Sequence, residues 1–169
     1  TDNCTAGTIT QISGLASGQT FPLDTTVSTF VVTDTSGNTD TISFNVIVRD
    51  TEDPVFNAYA DITVGNDMGS CDAVVTYPLP SYTDNCSAGT ITQIAGLVSG
   101  LPYPLDTTVN TFVVTDTAGN ADTISFNVIV RDTEDPVFNA YADITVGNDI
   151  GSCDAVVSYP LPTFTDNCT

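Results

Sequence analysis

The side chains of this chain that could do chemistry are carboxylates. The 169 residues include 21 Asp and Glu, only two Lys and Arg, and no His, so the formal net charge is −19. Ca²⁺ prefers oxygen ligands and takes about six to eight of them, whereas softer metals prefer His and thiolate ligands. The acidic composition therefore indicates either simple solubility or the binding of a hard divalent cation.

The same composition argues against several other functions. A strongly negative chain repels phosphate groups and anionic lipid headgroups, which argues against nucleic-acid binding. No apolar run approaches the roughly 18 residues needed to cross a bilayer, so we expect no membrane insertion in this segment. Without His or Lys, and with structural roles expected for the cysteines, the usual catalytic bases and nucleophiles are missing. We therefore predict no catalytic residues and no enzyme activity.

The sequence repeats itself almost without change. Thr1–Tyr82 aligns without gaps on Thr83–Phe164, a period of about 82 residues, and the motif Thr-Asp-Asn-Cys-Thr stands at both ends of the chain. Near-identical tandem repeats are typical of rods, stalks and adhesins rather than of enzymes. We expect both ends to lie inside repeats of a longer array. The predicted domains are residues 1–50, the C-terminal part of one repeat, residues 51–132, a complete repeat, and residues 133–169, the N-terminal part of a third.

Short alternating segments predict the fold. Thr123–Val130 alternates strictly and places Ile124, Phe126, Val128 and Val130 on one face, and Thr111–Thr115 places Phe112 and Val114 inward. Strands are also predicted at Asp143–Val146 and Ala155–Tyr159, with turn signals between the strands and no helical period. Roughly seven strands per repeat predict an all-β fold of tandem immunoglobulin-like β-sandwich repeats arranged end to end.

Several motifs resemble one known family. Asp-Thr-Glu-Asp-Pro-Val, Ala-Asp-Ile-Thr-Val, Gly-Ser-Cys-Asp-Ala-Val-Val-Ser-Tyr and Val-Thr-Asp-Thr-Ala-Gly-Asn together resemble the hyalin repeat (HYR) family over the whole chain. The resemblance implies extracellular, immunoglobulin-like repeats of a large bacterial cell-surface adhesin, of the kind found in gliding Bacteroidetes. This chain departs from the family pattern at Ala58-Tyr59 and Ile124, where the family often has Cys. It also has Asp24 and Asp106 where the family has Gly.

The topology of such a sandwich predicts where the acidic side chains meet. In an immunoglobulin-like sandwich the B–C and F–G loops lie at the end where the incoming linker arrives. We therefore predict structural Ca²⁺ sites at the junctions between repeats, against the simpler interpretation that Asp and Asn only favour turns. The candidate ligands are Asp50, Glu52, Asp53, Asp84, Asn85, Asp116 and Asn120 at the first junction, Asp132, Glu134, Asp135, Asp166 and Asn167 at the second, and Asp2, Asn3, Asp34 and Asn38 in the first repeat.

The five cysteines indicate an oxidising, extracellular setting. Cys71 and Cys86 stand at opposite ends of one strand, roughly 20–30 Å apart when extended, and a disulfide needs Cα atoms within about 7 Å. A bond between repeats, Cys71–Cys168, is therefore favoured, with Cys4, Cys86 and Cys153 paired outside the chain. The alternative is local pairing, Cys71–Cys86 and Cys153–Cys168.

Weaker signals concern glycans. Asn3, Asn85 and Asn167 match the N-glycosylation pattern, and Thr25, Thr41, Thr107 and Thr123 lie in Asp-Thr patterns that resemble O-glycosylation sites of Bacteroidetes. Tyr59, Tyr141, Tyr77-Pro78 and Tyr159-Pro160 could form a sugar-binding surface, although ordinary packing is favoured for them.

The sequence as a whole predicts a structural segment of a long, secreted, calcium-stiffened filament whose partners are the neighbouring repeats of the same chain. The alternative is that each repeat binds a partner itself, either a polysaccharide or another copy laterally. A lateral role would require an exposed apolar patch at the same place on each repeat.

Overall fold

The computed structural model describes residues 7–86 and 88–168, and the secondary structure in these ranges consists only of strands and turns. None of the described residues forms a helix that is long and apolar enough to cross a membrane. The strands are β1 (Thr8–Ser13), β2 (Asp24–Thr33), β3 (Thr39–Val48), β4 (Val55–Phe56), β5 (Ile62–Gly65), β6 (Asp72–Val74), β7 (Tyr82–Thr83), β8 (Thr90–Ala95), β9 (Pro102–Pro104), β10 (Asp106–Thr115), β11 (Ala121–Arg131), β12 (Val137–Phe138) and β13 (Phe164–Thr165).

The middle segment, residues 51–132, forms a β-sandwich. Its larger sheet has the strand order β5-β11-β10-β8, in which β5 runs parallel to β11 and the other neighbours are antiparallel. The short pairs β4-β7 and β6-β9 supply the remaining strands. The all-β sandwich predicted from the alternating sequence is therefore confirmed.

The core lies between these layers. From the larger sheet it takes Phe112, Phe126, Val128 and Val130, and from the other layer Ala73, Val75, Tyr77 and Tyr103. Because successive strand residues point to opposite faces, the strict alternation along β11 predicts which of its side chains are buried. Phe126 is 2% exposed and Val128 is 0% exposed, which confirms that prediction.

The first segment, residues 7–50, is a three-stranded sheet in the order β1-β2-β3. The third segment, residues 133–168, pairs only β12 with β13. The predicted strands at Asp143–Val146 and Ala155–Tyr159 are wrong, because neither range is strand in the structure. Their repeat counterparts include β5 and β6, which pair with β11 and β9 of the middle segment, and the third segment contains no such partners within its described residues.

One backbone feature explains a departure from the family pattern. Asp24 and Asp106, at the starts of β2 and β10, have φ values of 83° and 84°. This left-handed region favours Gly, and among other residues it is Asn and Asp that adopt it most readily. A Gly at this position, as in the family, would satisfy the same turn.

Candidate metal centre

Three carboxylates from distant parts of the chain lie together at the first linker. Asp50 follows β3, Asp84 follows β7, and Asp116 lies between β10 and β11. One carboxylate oxygen from each lies within 4.8 Å of the others. The cluster therefore joins the linker that leaves the first segment to two loops at the near end of the middle sandwich.

The loop between β10 and β11 fixes Asp116. Its Oδ1 accepts hydrogen bonds from the backbone N–H groups of Gly119 and Asn120, at 2.6 and 2.8 Å, and its Oδ2 accepts one from Asn120 Nδ2 at 2.8 Å. Asp116 is only 7% exposed. Burial acts to raise the pKa of Asp116, but hydrogen bonds from Asn120, Gly119 and Ala118 outweigh it and hold the pKa below its usual value. The carboxylate is therefore charged at neutral pH.

The two other carboxylates are held by local turns. Asp84 Oδ1 accepts a hydrogen bond from Cys86 N at 2.8 Å, and Asp50 Oδ1 accepts one from Glu52 N at 3.2 Å. Asp50 Oδ2 is buried and has no hydrogen-bond partner among the described residues. A buried carboxylate oxygen without a partner is unfavourable, so this atom indicates a position where a cation would be stabilising.

The thiol of Cys86 lies close enough to the cluster to be affected by its charges. Desolvation, and then the charges of Asp50, Asp84 and Glu52, raise the pKa of Cys86. A hydrogen bond with the Asp50 side chain adds to this shift, since both the negative charges and that bond disfavour the thiolate.

The other ligands predicted at the first junction lie outside this cluster or support it. Asn120 donates to Asp116 and so positions that carboxylate. Asp53 Oδ1 accepts a hydrogen bond from Ala121 N at 3.3 Å, which ties the linker to the start of β11. Glu52 and Asn85 are exposed.

The first segment contains the same acidic loop. Asp34 accepts hydrogen bonds from Ser36 N, Asn38 N and Asn38 Nδ2, at 2.8, 2.8 and 2.7 Å. These contacts, led by the Asn38 side chain, lower the pKa of Asp34. The remaining predicted ligands of this repeat, Asp2 and Asn3, lie outside the described residues, as does Cys4.

At the second linker the acidic residues make direct contacts between segments. Glu134 Oε1 accepts a hydrogen bond from Gly69 N at 2.5 Å, and Asn167 Nδ2 donates to Ser70 O at 2.8 Å. Asp132 Oδ1 accepts from Glu134 N at 3.1 Å, Asp166 Oδ1 accepts from Cys168 N at 2.7 Å, and Asp135 is exposed. Glu134 and Asn167 thus form hydrogen bonds between the third and middle segments of the same chain.

These contacts define a docking turn, residues 66–71, of which the sequence predicted only the Cys71 contact with the next repeat. Besides Gly69 and Ser70, the turn contributes Asn66, whose Oδ1 accepts hydrogen bonds from Thr133 N and Thr133 Oγ1 at 2.9 and 3.0 Å. The recurring Gly-Asn-Asp-Met/Ile-Gly-Ser-Cys motif predicted a turn and, through its Cys, a bond between repeats, but not the hydrogen bonds of Asn66, Gly69 and Ser70.

A disulfide joins the same two segments. Cys71, in the docking turn, is bonded to Cys168, and their Cα atoms are 5.2 Å apart. Cys86 and Cys153 are free and exposed. The alternative of local pairs, Cys71–Cys86 and Cys153–Cys168, is therefore wrong in this structure, since Cys71 and Cys168 are bonded to each other.

A cleft of about 590 Å³ separates the first two segments. It is lined by Leu23, Asp24, Val48, Arg49, Asp50, Thr117 and Ala118. Asp50 thus borders both this cleft and the carboxylate cluster, so the linker and the β10–β11 loop face each other across the joint.

The candidate glycan positions differ in their surroundings. Thr25, Thr41, Thr107 and Thr123 are exposed and lie within paired strands. Tyr77, by contrast, is a core residue, and Tyr59 stacks on Phe126 with 4.4 Å between ring centroids while donating to Pro78 O at 2.8 Å. Packing therefore accounts for Tyr59 and Tyr77. Tyr141 and Tyr159 are 45% and 61% exposed, and a sugar-binding surface that includes them stays a prediction.

Two proteins that share one name are similar in sequence to this chain. No family model matches the chain. It is 34% identical over 163 residues to hyalin of Strongylocentrotus purpuratus, an alignment that covers 89% of this chain and 13% of that protein. It is 30% identical over 154 residues to hyalin of Lytechinus variegatus, covering 88% of this chain and 29% of that protein.

The class that fold and alignment together support is a hyalin-repeat-like β-sandwich domain. The chain spans less than a third of the length of either relative. These relatives do not support the bacterial source that the sequence resemblance implied, and that source stays a prediction.

Proposed function

We propose that this chain is a structural repeat segment of a long extracellular adhesin or filament, in which Ca²⁺ stiffens the joints between successive repeats. The observation that carries the proposal is the meeting of Asp50, Asp84 and Asp116 within 4.8 Å at the first linker. One of these residues belongs to the linker and two belong to loops of the following sandwich. A cation bound by all three would fix the linker's direction.

Electrostatics supports a divalent cation at this place. Like charges at this separation repel each other, and the chain supplies only two cationic side chains, Arg49 and Arg131. Hard oxygen ligands select Ca²⁺ or Mg²⁺ rather than softer metals, and flexible carboxylate geometry suits Ca²⁺. Water and backbone carbonyls would complete a coordination number of about six to eight.

The second linker supports the mechanical side of the proposal. The Cys71–Cys168 disulfide and the Glu134–Gly69 hydrogen bond hold the third segment against the docking turn of the middle segment. A covalent bond limits how far two sandwiches can rotate about a short linker. The same joint would gain rigidity from a cation held by Asp132 and Asp166 together with a following β10–β11-type loop.

The extracellular setting follows from the disulfide and from the similarity to hyalin. Disulfides persist mainly in oxidising compartments, and both relatives carry the name hyalin. In the narrowest form of this proposal the chain belongs to a bacterial surface adhesin of the gliding Bacteroidetes type, which depends on the sequence resemblance alone. A non-catalytic role is part of the same proposal.

Calorimetric titration of the full chain with CaCl₂ tests the metal directly. We expect saturable binding that Asp50→Asn weakens at least about tenfold, which corresponds to about 1.4 kcal/mol. Asp40→Asn is the matched control, since it removes one exposed carboxylate of the first segment outside the cluster. Equal binding by the two variants, or no binding by the parent chain, would exclude this site.

One observation favours the alternative of lateral self-association. Ile94 and Val109 lie on the neighbouring strands β8 and β10 and are 59% and 51% exposed, and their counterparts Ile12 and Val27 are 60% and 50% exposed. The same apolar pair thus recurs on two repeats. If chains bundle through this pair, their mean molar mass, measured by light scattering, should rise with concentration. Ile94→Ser combined with Ile12→Ser would abolish that rise while leaving Ca²⁺ binding unchanged.

A further inference from the structure

The solvent side of the larger sheet in the middle segment carries no carboxylate on its three longest strands. Phe112 and Phe126 point into the core, so the odd-numbered residues of β10 and β11 point to solvent, together with Thr90 and Thr92 of β8. We call these outward residues the outer face. None of them is Asp or Glu, although the chain contains 21 such residues. The outer face is therefore an uncharged area in a strongly acidic protein, apart from Arg131 at the end of β11.

The same face recurs on the first segment. The odd-numbered residues of β2 and β3 are the counterparts of those of β10 and β11, and none of them is Asp or Glu. In both segments this is the solvent side of the sheet, so its presence does not depend on what covers the opposite side. An uncharged outer face is thus a property of each repeat.

The hydroxyl groups at the centre of the outer face are already hydrogen-bonded to each other. Thr111 Oγ1 and Ser125 Oγ are 2.9 Å apart, and so are their counterparts Thr29 Oγ1 and Ser43 Oγ. Burying a hydroxyl group without a hydrogen-bond partner is unfavourable, but these hydroxyls keep their partner when water is removed. Val109, which is 51% exposed, adds apolar surface beside them. The outer face can therefore be buried at a low polar cost.

Charge determines which occupant suits this face. A cationic partner would find no acidic residue on it, and an anionic partner would be repelled by a chain of net charge −19. Two copies of the chain repel each other wherever their carboxylates meet, and the outer face lets them approach without such a meeting. We propose that two copies of this chain pack side by side, outer face against outer face. This inference depends on lateral self-association, the alternative function proposed above.

The size of the face indicates a weak contact that repetition strengthens. At about 3.4 Å per residue and about 4.8 Å between strands, the four strands of the middle sheet present about 500 Å². Two such faces bury about 1,000 Å², which is the lower limit for a specific protein interface. Because both segments carry the face, paired chains gain avidity from more than one weak contact. Longer arrays of the same repeat would bundle more tightly.

Sedimentation equilibrium of the full chain at rising concentration tests the contact, with EDTA present so that no cation contributes. The mean molar mass should rise above 17.6 kDa. Ser125 and its counterpart Ser43 are exposed and lie near the middle of their strands. Ser125→Asp combined with Ser43→Asp should shift the rise to at least about tenfold higher concentration, because like charges would meet across the contact.

The matched control adds the same two charges outside the outer face. Val74 and Leu79 are 54% and 67% exposed, and Val74→Asp combined with Leu79→Asp should leave the association close to that of the parent chain. If the Asp pair at Ser125 and Ser43 weakened association no more than this control pair, lateral contact would exist on another surface and the outer face would be excluded. A parent chain that stays at 17.6 kDa would exclude lateral self-association itself.

Oppositely charged variants separate a direct contact from a folding defect. Ser125→Lys combined with Ser43→Lys should associate weakly alone, but its equimolar mixture with the Asp variant should associate at least as strongly as the parent chain, because Lys would then meet Asp. A misfolded variant would not be rescued in this way. A mixture that associates no better than either variant alone would overturn the proposal. A monomeric parent chain that binds neutral dextran, with loss of binding in the Asp variant, would assign the outer face to a polysaccharide instead.

Discussion

Phe126 and Phe44 occupy the same position in nearly identical stretches of sequence, yet the first is 2% exposed and the second is 49% exposed. Both lie in long antiparallel ladders of the same register, β10 with β11 and β2 with β3. The strand is therefore a local property of the sequence, whereas burial depends on the opposing layer. Comparing the middle and first segments separates these two contributions position by position.

Removing the aromatic ring at Phe126 or at Phe44 should produce the largest difference in stability between the two segments. We expect Phe126→Ala to destabilise the middle segment by about 3–5 kcal/mol, because it leaves a cavity in a packed core. Phe44→Ala in the dilute chain should cost the first segment much less, about 1 kcal/mol, since half of the ring already meets water. Hydrogen exchange of β11 and β3 amides measures the two effects separately. Equal losses would mean that Phe44 is covered in solution.

The disulfide is the next largest contribution. Cys71 and Cys168 are separated by 97 residues, and Cys71→Ser should lower the free energy of undocking the third segment by about 2–4 kcal/mol. The control is Cys153→Ser at the same repeat position, which removes a free thiol and should stay within about 0.5 kcal/mol. Limited proteolysis of the 133–168 region reports the undocking. If both variants were cleaved at the same rate, the bond would carry no mechanical role.

Backbone strain should act alike in the two segments. Asp24 and Asp106 share a φ near +84° regardless of the opposing layer. Asp24→Ala and Asp106→Ala should each cost about 1 kcal/mol, and the corresponding Gly variants should be neutral or slightly stabilising. Urea unfolding followed by exchange of β2 and β10 amides checks this equality. A large difference between the two sites would show that the opposing layer sets this turn.

The smallest effect concerns acid. The folded pKa of Asp116 and that of Asp34 lie below the unfolded value of about 4, so each carboxylate stabilises the fold fully above that pH and loses its contribution as pH falls through the lower folded pKa. Asp116→Asn should flatten the loss of melting temperature in the middle segment as the pH falls below about 4. Asp34→Asn should do the same in the first. If melting temperature depended on pH equally in the parent chain and both variants, these hydrogen-bonded carboxylates would not contribute to stability.

The same comparison explains how far the sequence predicts the structure. Alternation along Thr123–Val130 predicted the buried side chains Phe126, Val128 and Val130, because a period of two residues is intrinsic to a strand. The strands expected at Asp143–Val146 and Ala155–Tyr159 did not form, because a strand also requires a partner. Local pattern alone carries no information about that partner.

The candidate site divides in a similar way. Topology predicted that linker and loop carboxylates would approach each other, and the structure brings Asp50, Asp84 and Asp116 together. Topology does not predict which side chains already form hydrogen bonds within the chain. Four of the predicted ligands do so: Asn120, Asp53, Glu134 and Asn167. Those assignments depend on side-chain geometry within a few tenths of an ångström, which residue types and spacing do not fix.

Small-angle X-ray scattering of the full chain in Ca²⁺ and in chelator tests the stiffened joint most directly. With the ion, we predict a longer maximum dimension, a narrower range of conformations and a higher melting temperature, and Asp84→Asn should abolish all three changes. Identical scattering curves and melting temperatures in Ca²⁺ and in chelator would contradict a cation-bound junction.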